Sequence, residues 1–391
     1  DSFMFDHAPE ATFTGCLLLF LAAMTMTALS QHFGLLWVAV EATTLVSAPL
    51  IHFHRNHRSL EATWKYLLIC SVGIAVALLG NFFLAVAARH HQDLLMTCSE
   101  LVRNAGGLEQ SWLKAAFLLF LVGYGTKMGL APMHTWLPDA HSEAPSVVSA
   151  LLSGALLNCA FLALMRVHAV CAAAGLGDFS GGLLAGFGLL SMSVAAGFII
   201  GQTDFKRMLA YSSVEHMGIL AFGAGLGSAG SAAMLHAVNH SLTKAMLFFT
   251  AGNLLSIGRS KQVGDFRGLV RGLPFSGTLW LVGFLAITGS PPFGPFVSEI
   301  WILKAALESR HPWMAGVYLA VLAVIFTAMA TIVLKMAHGQ PSERLRQVRE
   351  LDVWRLAPPL VLAAAVLVLG LWVPQPMLAA LREAALVLGV R

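Results

Sequence analysis

Apolar stretches of the length that spans a bilayer recur from one end of the sequence to the other. A helix of about 20 residues is needed to cross hydrocarbon, where every backbone donor and acceptor must find its partner inside the segment. About eleven such stretches are legible. They run roughly over residues 13–31, 34–53, 67–88, 114–132, 145–166, 182–201, 208–227, 231–256, 275–307, 313–336 and 357–389. The ninth and eleventh exceed one crossing and are expected to be broken or bent. Charged residues make up 11% of the 391 positions, against roughly 25% in soluble proteins. No polar block remains for a separate soluble domain. The expected fold is therefore an all-α polytopic membrane protein, a single membrane domain over 1–391 with the lipid bilayer as its solvent.

The formal net charge of +4 matters through its placement and gives no reason to expect nucleic-acid binding. Alternating the loops between two sides puts most Lys and Arg on one side, among them Arg55, Arg58, Lys65, Lys206, Arg207, Lys261, Arg344, Arg346, Arg349 and Arg355. The other side holds Arg89, Arg103, Lys114, Arg166 and Arg310 with the tail residues Arg382 and Arg391, partly offset by Asp93, Glu100 and Glu109. The positive-inside rule makes the first side cytoplasmic, so the chain is expected to start in the cytoplasm and end outside. It opens on Asp1 without the basic flank of a signal peptide, consistent with a beginning that is missing or processed. Cys16, Cys70, Cys98, Cys159 and Cys171 form no C-x-x-C pair and read as small buried hydrophobes.

Five ionisable residues fall inside the apolar stretches: Glu41, Lys127, Glu215, Lys244 and Glu299. Each costs about 2.5–3.5 kcal/mol at mid-membrane on insertion scales, so such groups face a bundle interior or water. One reading is structural ion pairing between helices. The other, favoured by their spread over five helices, is a proton or cation path. Lys304 lies nearer a helix end and is expected to snorkel. His236, His240 and Lys244 share one helical face at spacings of four. An i, i+4 His pair can ligate zinc, but no acidic or thiol ligand is near in sequence and the Lys repels a cation. No metal is expected, and a hydrated polar stripe suited to proton relay is.

Gly and Pro interrupt the helical pattern after Lys127, in GYGTKMGLAPMHTWLPDAHSEAP, and before Glu299, in TGSPPFGPFVSE. Interrupted helices at matching places in two halves point to an inverted-repeat transporter and its ion path. Each interruption lies in the fourth helix of a set of five. Residues 13–166 and 182–336 are thus expected to be two inverted five-helix repeats, with 337–391 supplying a basic cytoplasmic connector and a C-terminal helix.

Four segments resemble the antiporter-like subunits shared by respiratory complex I, Mrp-type antiporters and membrane-bound [NiFe] hydrogenases. They are KMGLAPMHTWLPDAHSEAPSVVSALLSG (127–154), FKRMLAYSSVEHMG (205–218), HAVNHSLTKAMLFF (236–249) and GSPPFGPFVSEIW (289–301). Within that family, the surroundings of Glu41, Glu215 and Glu299 look most like component F of formate-hydrogenlyase and hydrogenase-four-type complexes. The resemblance implies that Glu41 and Lys127 pair in a first half-channel and that Lys244, His236 and His240 belong to a second. It places Glu299 at the outlet. His134, Asn158 and His216 would be supporting polar positions. Family members usually have fourteen helices, and this sequence starts at the equivalent of the fourth, as a partial chain or a shortened variant. Where many members carry Lys or His in the helix matching 145–166, only Ser153 and Asn158 stand here, which interrupts the line of ionisable groups.

The function implied is that of a proton-translocating subunit, itself non-catalytic, in a multi-subunit redox-driven complex. No cofactor motif is evident, so Fe–S and [NiFe] centres are expected in partner subunits. The partners would be other membrane subunits and a peripheral redox arm, in a bacterial or archaeal inner membrane. Coupling would work by Glu41 approaching or leaving Lys127. The alternatives are a subunit of a Mrp-like Na+/H+ antiporter or other energy-coupled ion or bicarbonate transporter, and a non-conducting scaffold.

Overall fold

A computed structural model describes residues 10–90, 94–346, 350 and 352–390, without the side chains of 344 and 346. Asp1, Asp93, Arg349, Arg391 and the side chains of Arg344 and Arg346 therefore lie outside the described residues. The principal helices are α1 (Glu10–Leu29), α2 (Phe33–Ile51), α3 (His57–Ala87), α4 (Gln110–Met128), the short α5 (Trp136–Glu143), α6 (Ser146–Ala173) and α7 (Gly177–Ile199). They continue with α8 (Phe205–Gly225), α9 (Gly230–Gly258), α10 (Pro274–Ile287), α11 (Gly294–Glu308), α12 (Trp313–Ala337), α13 (Val353–Leu371) and α14 (Gln375–Val387). Nine of the apolar stretches each correspond to one of these. The two overlong stretches are the broken pairs α10/α11 and α13/α14.

Among the described residues seven helices are long and apolar enough to cross a membrane by length and composition: α1, α2, α3, α6, α7, α12 and α13. The other helices of 18 residues or more, α4, α8 and α9, are those that carry Lys127, Glu215 and Lys244. Hydropathy is weakest where the buried polar groups concentrate. Side chains such as Leu29, Val72, Phe82, Val361 and Leu371 point outward, at least 60% exposed, a perimeter that suits lipid rather than water.

Glycines set how closely the helices approach. A Cβ on Gly218 of α8 would lie 2.7 Å from the Gly188 carbonyl of α7, and one on Gly181 the same distance from the Gly225 carbonyl. This close contact of small residues replaces the hydrophobic drive that is absent between helices in lipid. Among capping groups, Asp204 stands before α8, accepts from the backbone N–H of Lys206 and Arg207, and also takes the Ser142 hydroxyl. At the connector, the Glu350 carboxylate accepts from Phe275 N–H at 2.9 Å and the Ser276 hydroxyl at 2.8 Å, at the start of α10.

Charged residues collect at the two ends of the bundle. Lys65 and Arg207 both pair with Asp139, and Lys261 pairs with Glu143. At the opposite end Arg89 pairs with Glu109, Arg103 with Glu100, and Arg310 with Asp178. Lys304 is exposed, 3.9 Å from Glu308, as its place near a helix end led one to expect. Arg166 departs from its reading as a loop charge. It is buried within α6 and its guanidinium donates to the carbonyls of Thr27, Ala28 and Ser30, where α1 ends.

Candidate functional site

The first centre forms where α4 stops. Gly129, at φ +86°, closes α4 with its own N–H and that of Leu130 both bonded to the Gly125 carbonyl, a turn that glycine accommodates best. The break is held by Trp136 Nε1 donating to the Thr126 carbonyl at 2.8 Å and by Ser191 Oγ accepting from Ala131 N–H at 2.9 Å. Lys127, on the last turn, is fully buried. Its ammonium donates to Tyr66 OH at 2.7 Å and Thr44 Oγ1 at 2.9 Å, and lies 4.6 Å from the Tyr66 ring centroid.

The expected Glu41–Lys127 ion pair is not formed. Among the described residues no salt bridge joins them. Glu41 Oε1 accepts from Ser71 at 2.8 Å, and its Oε2 is buried without a protein partner. The reason is steric order along α2: Thr44, one turn beyond Glu41, and Tyr66 of α3 reach the ammonium first. Tyr66 and Thr44 carried no sequence signal, since both read as ordinary core residues.

The second centre lies between α8, α9 and the α10/α11 break. The His216 ring of α8 packs against both His236 and His240 of α9, with centroids 5.1 and 5.3 Å away. Its Nδ1 is 2.9 Å from His236 Nε2 and its Nε2 is 3.0 Å from the Ile287 carbonyl, the last of α10. His236 Nδ1 in turn lies 3.0 Å from Ser298 Oγ. Lys244 Nζ donates to the Leu209 carbonyl at 2.7 Å. Glu215, next to His216, is buried with Oε2 unpartnered. Glu299, on the second turn of α11, turns back into the break against Gly289 (φ +61°), where any Cβ would collide with the carboxylate.

His236, His240 and Lys244 thus share a buried face as their spacing required. No acidic ligand stands near them in sequence, but folding brings Glu299 and His216 to His236 from two other helices. His240 is not part of that group.

Between the centres the ionisable line does not simply stop at Asn158. The Asn158 amide donates to Ser241 Oγ at 2.8 Å and the Gly154 carbonyl at 3.1 Å, so it ties α6 to α9 rather than standing free in a relay. The residue that sequence reasoning missed is His141 of α5. It is fully buried, stacked on Phe248 at 5.2 Å, and neither ring nitrogen has a protein partner. Phe248 lies one turn from Lys244 on α9. The signal was present in LPDAHSEAP, hidden because the short helix after the break resembled a loop. Beside it, Ser153 and Ser213 hydroxyls meet at 2.8 Å across a π-helical turn, Leu152–Leu156, a distortion frequent at functional positions. His134 sits apart from these groups, in contact with Phe198 and Tyr211.

At the end of the bundle rich in Lys and Arg, an open vestibule of about 1410 Å³ reaches inward between α3, α5, α8 and α9. Lys65, Asp139, Glu143, Lys206 and Lys261 line it, and so does Ser146, whose hydroxyl is also buried without a partner. A buried polar atom left unpaired costs about 1–3 kcal/mol, so such atoms normally bind water. His141, whose chain neighbours Asp139, Ser142 and Glu143 line the vestibule, likewise has two ring nitrogens that no protein group satisfies.

A family profile described as NADH:quinone oxidoreductase/Mrp antiporter, transmembrane, matches residues 30–327. The chain belongs to this antiporter-like family. It is 38% identical over 363 residues to a hydrogenase-4 component F homolog of Methylacidiphilum infernorum, covering 90% of this chain and 74% of that protein. It is 30% identical over 403 residues to F(420)H(2) dehydrogenase subunit N of Methanosarcina mazei, covering 98% and 78%. A chain of respiratory complex I from Thermus thermophilus superposes with a TM-score of 0.80 at 26% identity, over 95% of this chain and 80% of its own. The antiporter-like subunit is thus an integral membrane protein, and its relatives are subunits of larger membrane complexes.

Proposed function

We propose that this antiporter-like subunit translocates protons in a redox-driven membrane complex of the hydrogenase type, with its Fe–S and [NiFe] centres in partner subunits of a peripheral arm. The observation that carries this reading is the series of buried titratable side chains, Lys127, His141, Lys244, Glu215, His240, His216, His236 and Glu299, several with ring or carboxylate atoms that only water could satisfy. Structural ion pairing explains them poorly, since among the described residues none of the eight forms a salt bridge. The likeness to the hydrogenase-4 component supports the choice of partner complex.

In this reading protons enter from the cytoplasm through the vestibule, pass His141 to Lys244, and leave past the imidazoles of α8 and α9 to Glu299. Lys127 is the loading site of the first half. The Tyr66 and Thr44 oxygens stabilise its ammonium, and movement of α2 or α3 would withdraw them. Residues 13–166 and 182–336 are the two inverted repeats, each with its break beside a charge. In this reading the membrane is a bacterial or archaeal inner membrane, and the charge bias of the loops supports a chain that starts on the cytoplasmic side and ends outside.

The test is Lys127→Met in the intact complex reconstituted in vesicles. Fewer protons moved per electron are expected, with assembly and redox turnover retained. Wild-type stoichiometry would rule out a conducting role. Pumping in sodium-depleted vesicles is expected to persist, and strict sodium dependence would favour the Mrp-like alternative.

A further inference from the structure

We propose that His216, His236 and Glu299 form a binding site for a single divalent transition-metal ion of the Zn2+ type, whose occupancy blocks the second half of the path. One ligand atom from each residue lies within 4.8 Å of the others, and all three side chains are buried. Two imidazoles and one carboxylate are a donor set that zinc takes in tetrahedral geometry, leaving one position for water. With metal–ligand distances of about 2.0–2.2 Å, tetrahedral donors sit roughly 3.3–3.6 Å apart. The His216 Nδ1 to His236 Nε2 separation of 2.9 Å has to open by only a few tenths of an ångström.

The hydrogen bonds around the group already orient it. A carbonyl can only accept, so His216 Nε2 carries the proton given to Ile287, and its Nδ1 holds a lone pair aimed into the cluster. His236 Nε2–H donates to that lone pair. On metal binding the His236 proton shifts from Nε2 to Nδ1, where Ser298 Oγ, at 3.0 Å, accepts it. Ser298 is free to accept because its own hydroxyl proton can go to the Pro295 carbonyl, also at 3.0 Å. The metal thus takes the place of the proton shared by the two rings. Each ligating histidine keeps an outer partner that fixes its tautomer, as metal-binding histidines generally do. Glu299 supplies the negative charge, and its Oε1 has no protein partner. Lys244, the nearest fixed cation on α9, is two turns away from His236 and engaged by the Leu209 carbonyl.

The inference rests on the proton-path reading for the ion's access and for the consequence of binding, but not for the ligand set. The experiment is titration of the purified intact complex with Co2+, whose visible d–d absorption reports tetrahedral N/O ligation independently of turnover. One tetrahedral Co2+ per copy of this subunit is expected, displaced by Zn2+. Glu299→Gln and His216→Ala should abolish it. Ser298→Ala, which removes only an outer partner, should weaken binding about 10–100-fold. His311→Ala, on an exposed loop, should leave it unchanged. Absence of the tetrahedral band, or a band of undiminished affinity in both Glu299→Gln and Ser298→Ala, overturns the site even if His216→Ala fails to assemble. Should Lys127→Met pump normally while Co2+ still binds through these residues, the translocation reading fails and the metal site stands.

Discussion

Tyr66→Phe isolates the contribution of one oxygen to the Lys127 site. An ammonium has three donors, and two are spent on Tyr66 OH and Thr44 Oγ1. The Tyr66 hydroxyl is itself oriented. Ser47 Oγ donates to the Thr43 carbonyl at 2.6 Å and lies 2.6 Å from Tyr66 OH, so the phenol gives its proton to Ser47 and turns a lone pair to the ammonium. Phenylalanine would keep the ring, its packing on Trp136 with centroids 5.0 Å apart, and the cation–π contact. What disappears is one hydrogen bond to a charged group, worth about 1.5–3 kcal/mol. At 1.36 kcal/mol per decade, the balance between the charged and neutral forms of Lys127 shifts roughly 10- to 150-fold. In reconstituted vesicles the variant complex should assemble and turn over electrons while moving fewer protons per electron. Thr44→Val should act in the same direction, and the double variant should fall short of the summed effects because both oxygens serve one ammonium. A Tyr66→Phe complex with an unchanged proton-to-electron ratio would refute the assignment of this contact to proton loading.

Two further outcomes bear on the scaffold. Arg166→Met removes the guanidinium that satisfies three carbonyls at the end of α1, at about 1.5–3 kcal/mol for each charge-assisted bond lost and less than additively. A lower thermal midpoint of the purified complex is expected, and an unchanged midpoint would show that these bonds are dispensable. Gly218→Val forces α8 away from the Gly188 carbonyl, an overpacking cost of about 1–3 kcal/mol. It should impair both stability and pumping, since Glu215 and His216 sit on the adjoining turn. Gly186→Ala, which has open space around it, is the control expected to leave both unaltered.

Much of this protein was determined locally. Bilayer-length apolar stretches impose helices because nothing else satisfies the backbone in hydrocarbon, so the span positions, the broken ninth and eleventh stretches and the interruptions beside Lys127 and Glu299 were legible. So were the buried charges, whose cost makes them stand out, and the four-residue spacing that puts His236, His240 and Lys244 on one face. The family was legible for the same reason, through motifs built around those costly residues.

Partnership was decided only by packing. Lys127 meets Tyr66 and Thr44 instead of Glu41 because helix rotation and side-chain reach, neither encoded in spacing along one chain segment, determine which oxygen arrives first. His216 and His236 stand on the consecutive helices α8 and α9, whereas Glu299 comes from α11. They converge because α8 and α9 pack ring against ring and the α10/α11 break turns Glu299 inward against Gly289. His141 escaped notice because its helix is a short amphipathic piece after a break, without the periodicity that reveals longer elements. A single chain segment carries the cost of burying a charge, whereas the identity of the group that offsets it is a property of the assembled bundle.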